Sequence, residues 1–264
     1  MSHLSPRPPP ERSEENEYSA FESHADLVIG IDFGTTFTGV AYALSGKVVK
    51  SHSPDMSRIA EKLVVIRAWP GAANAEKIPT VLAYHTSPPA WGVRVKLSDE
   101  PRVSHFKLGL QDLGSHYKKA SSVEDFSLLG GYLDDHNWRH PSLPDKQAVD
   151  FAADYLANVC QYVLRESLPK HYGRQFLQRQ QISYVVTVPA IWSDKAKELT
   201  RQAACRAGIP RRKLMLITEP EAAAVYCATL CREVDLSAGD RFLICDAGGG
   251  TVVNLLRSAA LKNL

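Results

Sequence analysis

The hydrophobic pattern near the start of the chain predicts two hairpins. Residues Leu27 to Ile31 form a continuous apolar run, which is typical of a buried strand, and Phe37 to Leu44 is rich in aromatic and β-branched residues. Between these two runs, Asp32 to Thr36 predicts a tight turn, and Ser45-Gly46 predicts another turn before a third strand at Lys47-Val48-Val49. The three strands are therefore expected to form hairpins that share the middle strand.

The next stretch, residues 57–144, is irregular and contains many Pro and Gly residues. Two short runs within it predict strands, Leu63 to Ile66 and Thr80 to Tyr84. We interpret the stretch as a smaller α+β insertion.

Helical periodicity begins at Lys146. The apolar residues that recur every four positions line one face of a helix expected to reach about Leu168: Phe151, Tyr155, Val159 and Val163. A β-branched strand then runs from Ile182 to Val188.

A second helix is expected to start at Ser193, whose hydroxyl makes it a suitable N-cap. Leu199, Ala203 and Ala207 form a narrow apolar stripe along this helix, and Gly208 is placed to end it.

The pattern after this helix is again strand, helix, strand. Lys213 to Ile217 predicts a short strand, and Pro220 at the first helical position predicts a helix from Glu221 to Cys231. Arg241 to Cys245 predicts another apolar strand. This alternation indicates an α/β protein.

One arrangement of residues, an apolar strand followed by Asp, Gly and Thr, occurs twice. The first copy carries Asp32, Gly34, Thr35 and Thr36, and the second carries Asp246, Gly248, Gly249, Gly250 and Thr251. Glycines let backbone N–H groups approach anionic oxygens, threonine hydroxyls add donors, and an aspartate can hold Mg²⁺ through water. A single loop of this kind is also an ordinary glycine-rich turn, but its repetition favours a clamp made of two phosphate loops.

Two other phosphate-binding motifs are excluded. Gly34 and Gly39 have the spacing of P-loop glycines, but Val40 stands where a P-loop needs lysine. No G-x-G-x-x-G sequence lies between a strand and a helix, so the fingerprint of a dinucleotide-binding fold is missing.

Charge and composition narrow the range of partners. The net charge of +2 is too small to argue for a nucleic-acid partner or an acidic membrane surface, and no apolar run is long enough to cross a bilayer. Residues 1–26 are rich in Pro, Ser and Glu and lack the apolar core of a secretory signal, which indicates a disordered tail. The five cysteines include no C-x-x-C pair, so a reducing compartment, the cytoplasm or the nucleus, is expected.

Three segments of the chain resemble the heat shock protein 70 (DnaK-type) chaperone family, in the order in which the family has them. Ile29 to Thr36 resembles its first phosphate loop, and Asp246 to Thr251 resembles its second. Tyr184 to Ala190, together with Thr218 to Ala224, resembles its first connecting segment. Four shorter segments look like the divergent branch of the family that is abundant in filamentous fungi: Ala68 to Gly71, Ile78 to Val81, Trp91-Gly92 and Phe106 to Leu108.

The resemblance implies an α/β protein with the actin-like ATPase (ribonuclease H-like) fold, comprising the first lobe and only the beginning of the second. Residues 27–56 and 145–232 would form the core of the first lobe, and residues 57–144 the insertion subdomain. Residues 233–264 would begin the second lobe, which makes the chain look truncated, because only about a dozen residues follow the second loop.

The resemblance also implies a site for ATP or ADP with Mg²⁺. Asp32 and Asp246 would flank the metal and the attacking water, and Glu219 would bind the hydration shell of the metal. The phosphate-holding residues would be Gly34, Thr35, Thr36, Phe37, Gly248, Gly249, Gly250 and Thr251. The catalytic residues would be Lys107, Glu219, Asp246 and Thr251.

Two of these assignments also have an ordinary structural interpretation, which is equally good for Lys107 and less favoured for Glu219. Lys107 matches the catalytic lysine of the family, but it also fits a solvated surface lysine. Glu219 also fits an acidic residue placed at the start of a helix by the helix dipole. Val253 departs from the family, which has a carboxylate at that position.

The function implied is the ATP-binding domain of a heat-shock-70-like chaperone, whose partners would be nucleotide and, in a full-length form, unfolded clients and co-chaperones. Neither nucleic acid nor a membrane is expected as a partner. Two alternatives stay open: a truncated nucleotide-binding or interaction module without turnover, and a sugar or acetate kinase of the same superfamily. ATP hydrolysis by this chain is expected to be slow or absent.

Overall fold

The computed structural model describes residues 25–44, 63–111, 140–230, 241–247 and 252–258. The strands are β1 (Leu27–Phe33), β2 (Phe37–Leu44), β3 (Val64–Val65), β4 (Lys77–Pro79), β5 (Val81–Ala83), β6 (Ala90–Trp91), β7 (Arg102–Ser104), β8 (Ile182–Val188), β9 (Leu214–Thr218), β10 (Arg241–Ala247) and β11 (Val252–Ser258). The α-helices are α1 (Ala148–Tyr162), α2 (Leu168–Tyr172), α3 (Arg174–Gln178), α4 (Asp194–Arg206) and α5 (Glu219–Leu230).

The main sheet is mixed, with the strand order β3-β2-β1-β8-β9, and β4 also pairs with β2. Strand β1 is antiparallel to β2 and parallel to β8, which is parallel to β9. Ile31 lies opposite Val186, as expected if the segments before and after the insertion share one sheet. This mixed α/β architecture is consistent with the expected actin-like ATPase fold.

The predicted insertion does not lie wholly apart from this sheet. Strands β3 and β4 fall within residues 57–144, yet both pair with β2 in the main sheet. Ile78 of β4 is buried in the main core, which explains why this short edge strand joins it. The second, three-stranded sheet has the order β6-β5-β7.

Helix α1 starts two residues later than predicted, at Ala148. Gln147 and Asp150 form a reciprocal capping box at its start, which satisfies two backbone groups. The predicted face is buried throughout, from Phe151 to Val163. The single predicted helix is interrupted by a π-helical segment, Val163–Ser167, before α2.

Helix α4 has the predicted ends. The Ser193 hydroxyl accepts a hydrogen bond from the Ala196 backbone at 3.3 Å, and Gly208 follows the helix with φ of 97°, a value that favours glycine. Ala203 of the predicted stripe is fully buried, and α4 packs against α1.

Two of the four segments that resemble the fungal branch, Ala68 to Gly71 and Trp91-Gly92, contribute to packing and turns. Trp69 and Ala72 form a two-residue hairpin around Pro70-Gly71, and the Trp69 ring stacks on Tyr162 with centroids 5.6 Å apart. Trp91 packs edge-on against Trp69. These aromatic contacts pack Trp69 and Trp91 against α1.

The two ends of the chain differ in how far the structure describes the regions predicted there. Ala25 and Asp26, which the sequence assigned to the tail, are ordered, and Asp26 exchanges hydrogen bonds with Gln181. Strands β10 and β11 form an antiparallel hairpin in which Asp246 lies opposite Val253. The predicted strand Lys47-Val48-Val49 lies outside the described residues. Within the described ranges, none of the helices combines the length and hydropathy needed to span a bilayer.

Candidate functional site

The candidate site lies where three neighbouring strands end. Strands β1, β8 and β9 run parallel, so their carboxyl ends meet at the same edge of the sheet. Asp32 lies near the end of β1, Thr187 near the end of β8, and Glu219 directly after β9. In α/β sheets this edge is where ligands commonly bind.

The first predicted phosphate loop is a tight turn between β1 and β2. Asp32 and Phe33 belong to β1, so the turn is shorter than predicted and consists of Gly34, Thr35 and Thr36. A Cβ atom at Gly34 would collide with the Phe37 carbonyl oxygen, so this turn requires glycine. Thr35 is buried, whereas the Phe37 side chain is 51% exposed at the edge of the loop.

Thr80 braces this turn from the neighbouring segment. Its hydroxyl donates to the Gly34 carbonyl at 2.9 Å, and its backbone N–H donates to the Thr36 carbonyl at 2.8 Å. The Thr38 and Thr80 hydroxyls are also hydrogen-bonded to each other, at 2.8 Å. The loop is therefore held in place by hydrogen bonds from outside its own hairpin.

Both carboxylate oxygens of Asp32 have partners. Thr187 Oγ1 donates to Oδ1 at 3.0 Å, and Lys77 Nζ lies 2.7 Å from Oδ2. The sequence pattern does not point to either partner. No local spacing could have found them, because they lie 155 and 45 residues away from Asp32.

Lys107 and Glu219, 112 residues apart in the chain, form an ion pair with a 2.6 Å separation of Nζ and Oε1. The Lys107 side chain is only 2% exposed and that of Glu219 is 14% exposed. The Lys107 ammonium also lies 5.7 Å from the Phe33 ring centroid and 5.4 Å from that of Trp192. Lys107 is therefore not a solvated surface lysine, and that alternative is wrong.

The local sequence fixes Glu219 at the first turn of α5. The Thr218 backbone N–H donates to Glu221 Oε2 at 2.9 Å, and the Glu221 N–H donates to Thr218 Oγ1 at 3.3 Å. This is a capping box, and the T-x-x-E spacing that signals it was present in the sequence. The helix begins at Glu219, so Pro220 is its second residue rather than its first.

His105, which lies two residues before Lys107, carries no charge at neutral pH. Burial, with a smaller contribution from Arg102, holds the pKa of His105 below its ordinary value of 6.5, so this side chain is neutral at pH 7. Lys107, two residues further along, brings its ammonium to the Glu219 carboxylate.

Most of the second predicted loop lies outside the described residues. Asp246 lies in the backbone of β10, but its side chain, and Gly248, Gly249, Gly250 and Thr251, lie outside the described residues. Among the residues that are described, no group of three or more His, Cys, Asp or Glu side chains is arranged to hold a metal ion.

Several curated proteins are similar to this chain, although no family model matches it. Heat shock 70 kDa protein 12A of Homo sapiens is 27% identical over 221 residues, covering 77% of this chain and 29% of that protein. Heat shock 70 kDa protein 12B of Homo sapiens is 25% identical, covering 86% of this chain and 39% of that protein. A Chaperone protein HscA homolog of Acinetobacter baumannii (strain SDF) is 25% identical, covering 93% of this chain and 35% of that protein.

The names of these relatives fit the resemblance to heat shock protein 70 that the three motifs of the sequence indicate. The chain spans about a third of the length of the curated relatives that it matches. The identities are modest, but they extend over most of the chain and converge on one group of proteins. Over most of its length, the chain is similar to proteins of the heat-shock-protein-70-like family.

Proposed function

We propose that this chain binds ATP or ADP with Mg²⁺ and is the nucleotide-binding part of a heat-shock-70-like chaperone. The observation that carries the proposal is the contact between Lys107 and Glu219. The resemblance assigned both residues to one catalytic site from distant parts of the sequence, and they are 2.6 Å apart. They meet at the sheet edge that also bears Asp32 and its glycine turn.

The loop from Gly34 to Phe37 supplies the phosphate contacts in this proposal. A glycine turn without a side chain lets an anion approach the backbone, and the threonine hydroxyls add donors. The hydrogen bonds from Thr80 hold this turn in a fixed shape, so little ordering is left to pay for when phosphate binds. Gly248, Gly249, Gly250 and Thr251 would supply the opposite side of the clamp.

The carboxylates suit a hydrated magnesium ion. Mg²⁺ keeps several of its waters and takes one or two carboxylates together with phosphate oxygens, so it does not need a cage of protein ligands. Asp32 and Glu219 offer carboxylate oxygens on one sheet edge, and Asp246 would face them. A bound Mg²⁺ would neutralise the charge of the phosphates.

Lys107 would stabilise the negative charge that develops during phosphoryl transfer. Its ammonium is held by the Glu219 carboxylate and by the Phe33 and Trp192 rings, so the cation is positioned before a substrate arrives. Glu219 would then hold the ammonium and accept hydrogen bonds from metal-bound water.

We further propose slow turnover by the 264-residue chain alone. Phosphoryl transfer depends on donors fixed on both sides of one phosphate. Among the described strands, β10 and β11 pair only with each other, and an isolated hairpin is marginally stable in water. The loop that it carries is then poorly fixed.

Clients and co-chaperones, and a cytoplasmic or nuclear location, are proposals for the whole protein.

Equilibrium binding of ATP with Mg²⁺, followed by titration calorimetry, tests the proposal. Asp32→Asn keeps the shape of the side chain but removes its charge, and should weaken binding by about ten-fold or more, as the loss of a metal-orienting carboxylate usually does. Asp145→Asn, at an exposed site before α1, is the matched control and should bind like the natural chain. Absence of binding by the natural chain, or equal binding by both variants, would refute the proposal. Enhanced binding or turnover with a sugar or acetate would favour the kinase alternative.

A further inference from the structure

Lys77 reaches Asp32 across an intervening strand. In the pairing of β2 with β4, Lys77 lies opposite Gly39, and in the pairing of β1 with β2, Gly39 lies opposite Asp32. The three residues therefore form a row across β4, β2 and β1. Thr187 of β8 extends this row, because its hydroxyl binds the other oxygen of Asp32.

Gly39 makes this reach possible. A Cβ atom at Gly39 would lie 3.3 Å from Cγ and 3.7 Å from Cε of Lys77, so the lysine stem lies directly over the glycine. Neighbouring strands are about 4.8 Å apart, and a lysine must cover nearly two such steps to contact Asp32. It does so only because no side chain stands between them, and its Nζ ends 2.7 Å from Oδ2.

The pair is open to water. The Lys77 side chain is 57% exposed and that of Asp32 is 42% exposed, in contrast to the buried Lys107–Glu219 pair. Exposed ion pairs are weak, so Lys77 can leave Asp32 at little cost. The oxygen that it contacts belongs to the carboxylate assigned above to a hydrated Mg²⁺.

We propose that Lys77 is a resident counter-ion of Asp32 that must give way to Mg²⁺, and that it thereby sets the Mg²⁺ concentration at which nucleotide binds. The inference rests on the proposed function, because it assumes that Asp32 faces Mg²⁺-nucleotide. Two cations at one carboxylate oxygen repel each other, so a hydrated metal ion held by Asp32 would compete with the Lys77 ammonium for that carboxylate. Lys77 is a positioning residue in this scheme and acts through Asp32.

The measurement is the Mg²⁺ concentration that gives half-maximal binding of ADP, taken from calorimetric titrations at a series of Mg²⁺ concentrations. Lys77→Met removes the charge and keeps much of the stem, and should lower this midpoint about two- to five-fold, the range expected from the strength of an exposed pair. Lys77→Arg keeps the cation and should stay near the natural midpoint. Lys96→Met, at an exposed position after β6, is the matched control and should leave the midpoint unchanged.

A second variant keeps Lys77 but disturbs its path. Gly39→Ala places a methyl group against the lysine stem, and should shift the midpoint in the same direction as Lys77→Met. A third readout needs no nucleotide: acylation of Lys77, followed by mass spectrometry, should be faster in Asp32→Asn than in the natural chain, because the ammonium has lost its carboxylate.

The outcomes separate this inference from the proposed function. If the natural chain binds no ADP at any Mg²⁺ concentration, both fail. If it binds ADP in a Mg²⁺-dependent way and Lys77→Met has an unchanged midpoint, only the role of Lys77 fails. If Lys77→Met instead weakens ADP binding even at high Mg²⁺, Lys77 contacts phosphate rather than competing with the metal, and the inference is overturned.

Discussion

Glu219→Gln should destabilise the protein more than Lys107→Met, although both changes break the same ion pair. The asymmetry follows from burial, since Lys107 is 2% exposed and Glu219 is 14% exposed. After Glu219→Gln, the lysine ammonium stays enclosed between Phe33 and Trp192 without a carboxylate. After Lys107→Met, the partly exposed carboxylate can still take up water.

The magnitudes follow from the cost of leaving a buried charge unpaired. Removing one partner of a buried pair usually costs about 3–5 kcal/mol, and the retained amide oxygen of glutamine places Glu219→Gln near the lower end. Lys107→Met deletes the more buried charge and keeps the apolar stem, so we expect a loss of about 1–2 kcal/mol. The double variant contains no unpaired charge and should recover most of this loss, because buried pairs contribute little net stability.

Urea unfolding at pH 7, followed by near-ultraviolet circular dichroism, measures the four free energies of this cycle. The slope with urea must be the same in all four proteins for their free energies to be compared. Equal losses in the two single variants, or a double variant whose loss equals their sum, would show that Lys107 and Glu219 are not a coupled buried pair.

Three further results are expected. Gly34→Ala should lower the free energy of unfolding by about 1–3 kcal/mol, because its new methyl group meets a backbone oxygen. Gly30→Ala, on the same hairpin, makes only an ordinary contact and should lower it less, and equal losses in urea unfolding would contradict this. Thr218→Ala removes an N-cap, so hydrogen exchange of the backbone amides at the start of α5 should accelerate, while exchange in α4 stays constant. Unchanged exchange in α5 would count against the capping box. Burial raises the pKa of the Cys160 thiol to about 12. At pH 8 a thiol reagent should therefore label exposed Cys227 first and Cys160 only after denaturation. Rapid labelling of Cys160 in the native protein would show that this cysteine is accessible to the reagent.

The sequence predicted the long elements well because their signals are local. The bounds of β2 and β8 match the apolar runs that predicted them, and the Ser193 cap and Gly208 stop frame α4 as expected. Each of these signals depends on residues close together in the chain. Periodicity and caps are sufficient in such cases.

The predictions were weakest where distant residues decide the outcome. Strand β4 has three residues, too few for a period, and it is a strand because β2 offers it an edge. Lys107 could not be identified as buried, because its surroundings come from Phe33, Trp192 and Glu219, which are far apart in the sequence. The capping box at Thr218 is different, because its T-x-x-E spacing is a local signal in the sequence.

The hydrogen bond between Thr187 and Asp32 has a consequence for how the sheet assembles. Strand β8 ends in Val185-Val186-Thr187-Val188, so only one of these four residues can satisfy the Asp32 carboxylate. Sliding β8 by one residue along β1 would turn its side chains to the opposite face and set a valine beside the charge. An apolar neighbour would leave one carboxylate oxygen without that donor, at a cost that the correct alignment avoids. The Thr187–Asp32 hydrogen bond thus favours the correct register of β8 during folding, and a variant that loses the Asp32 charge should lose some of this selectivity.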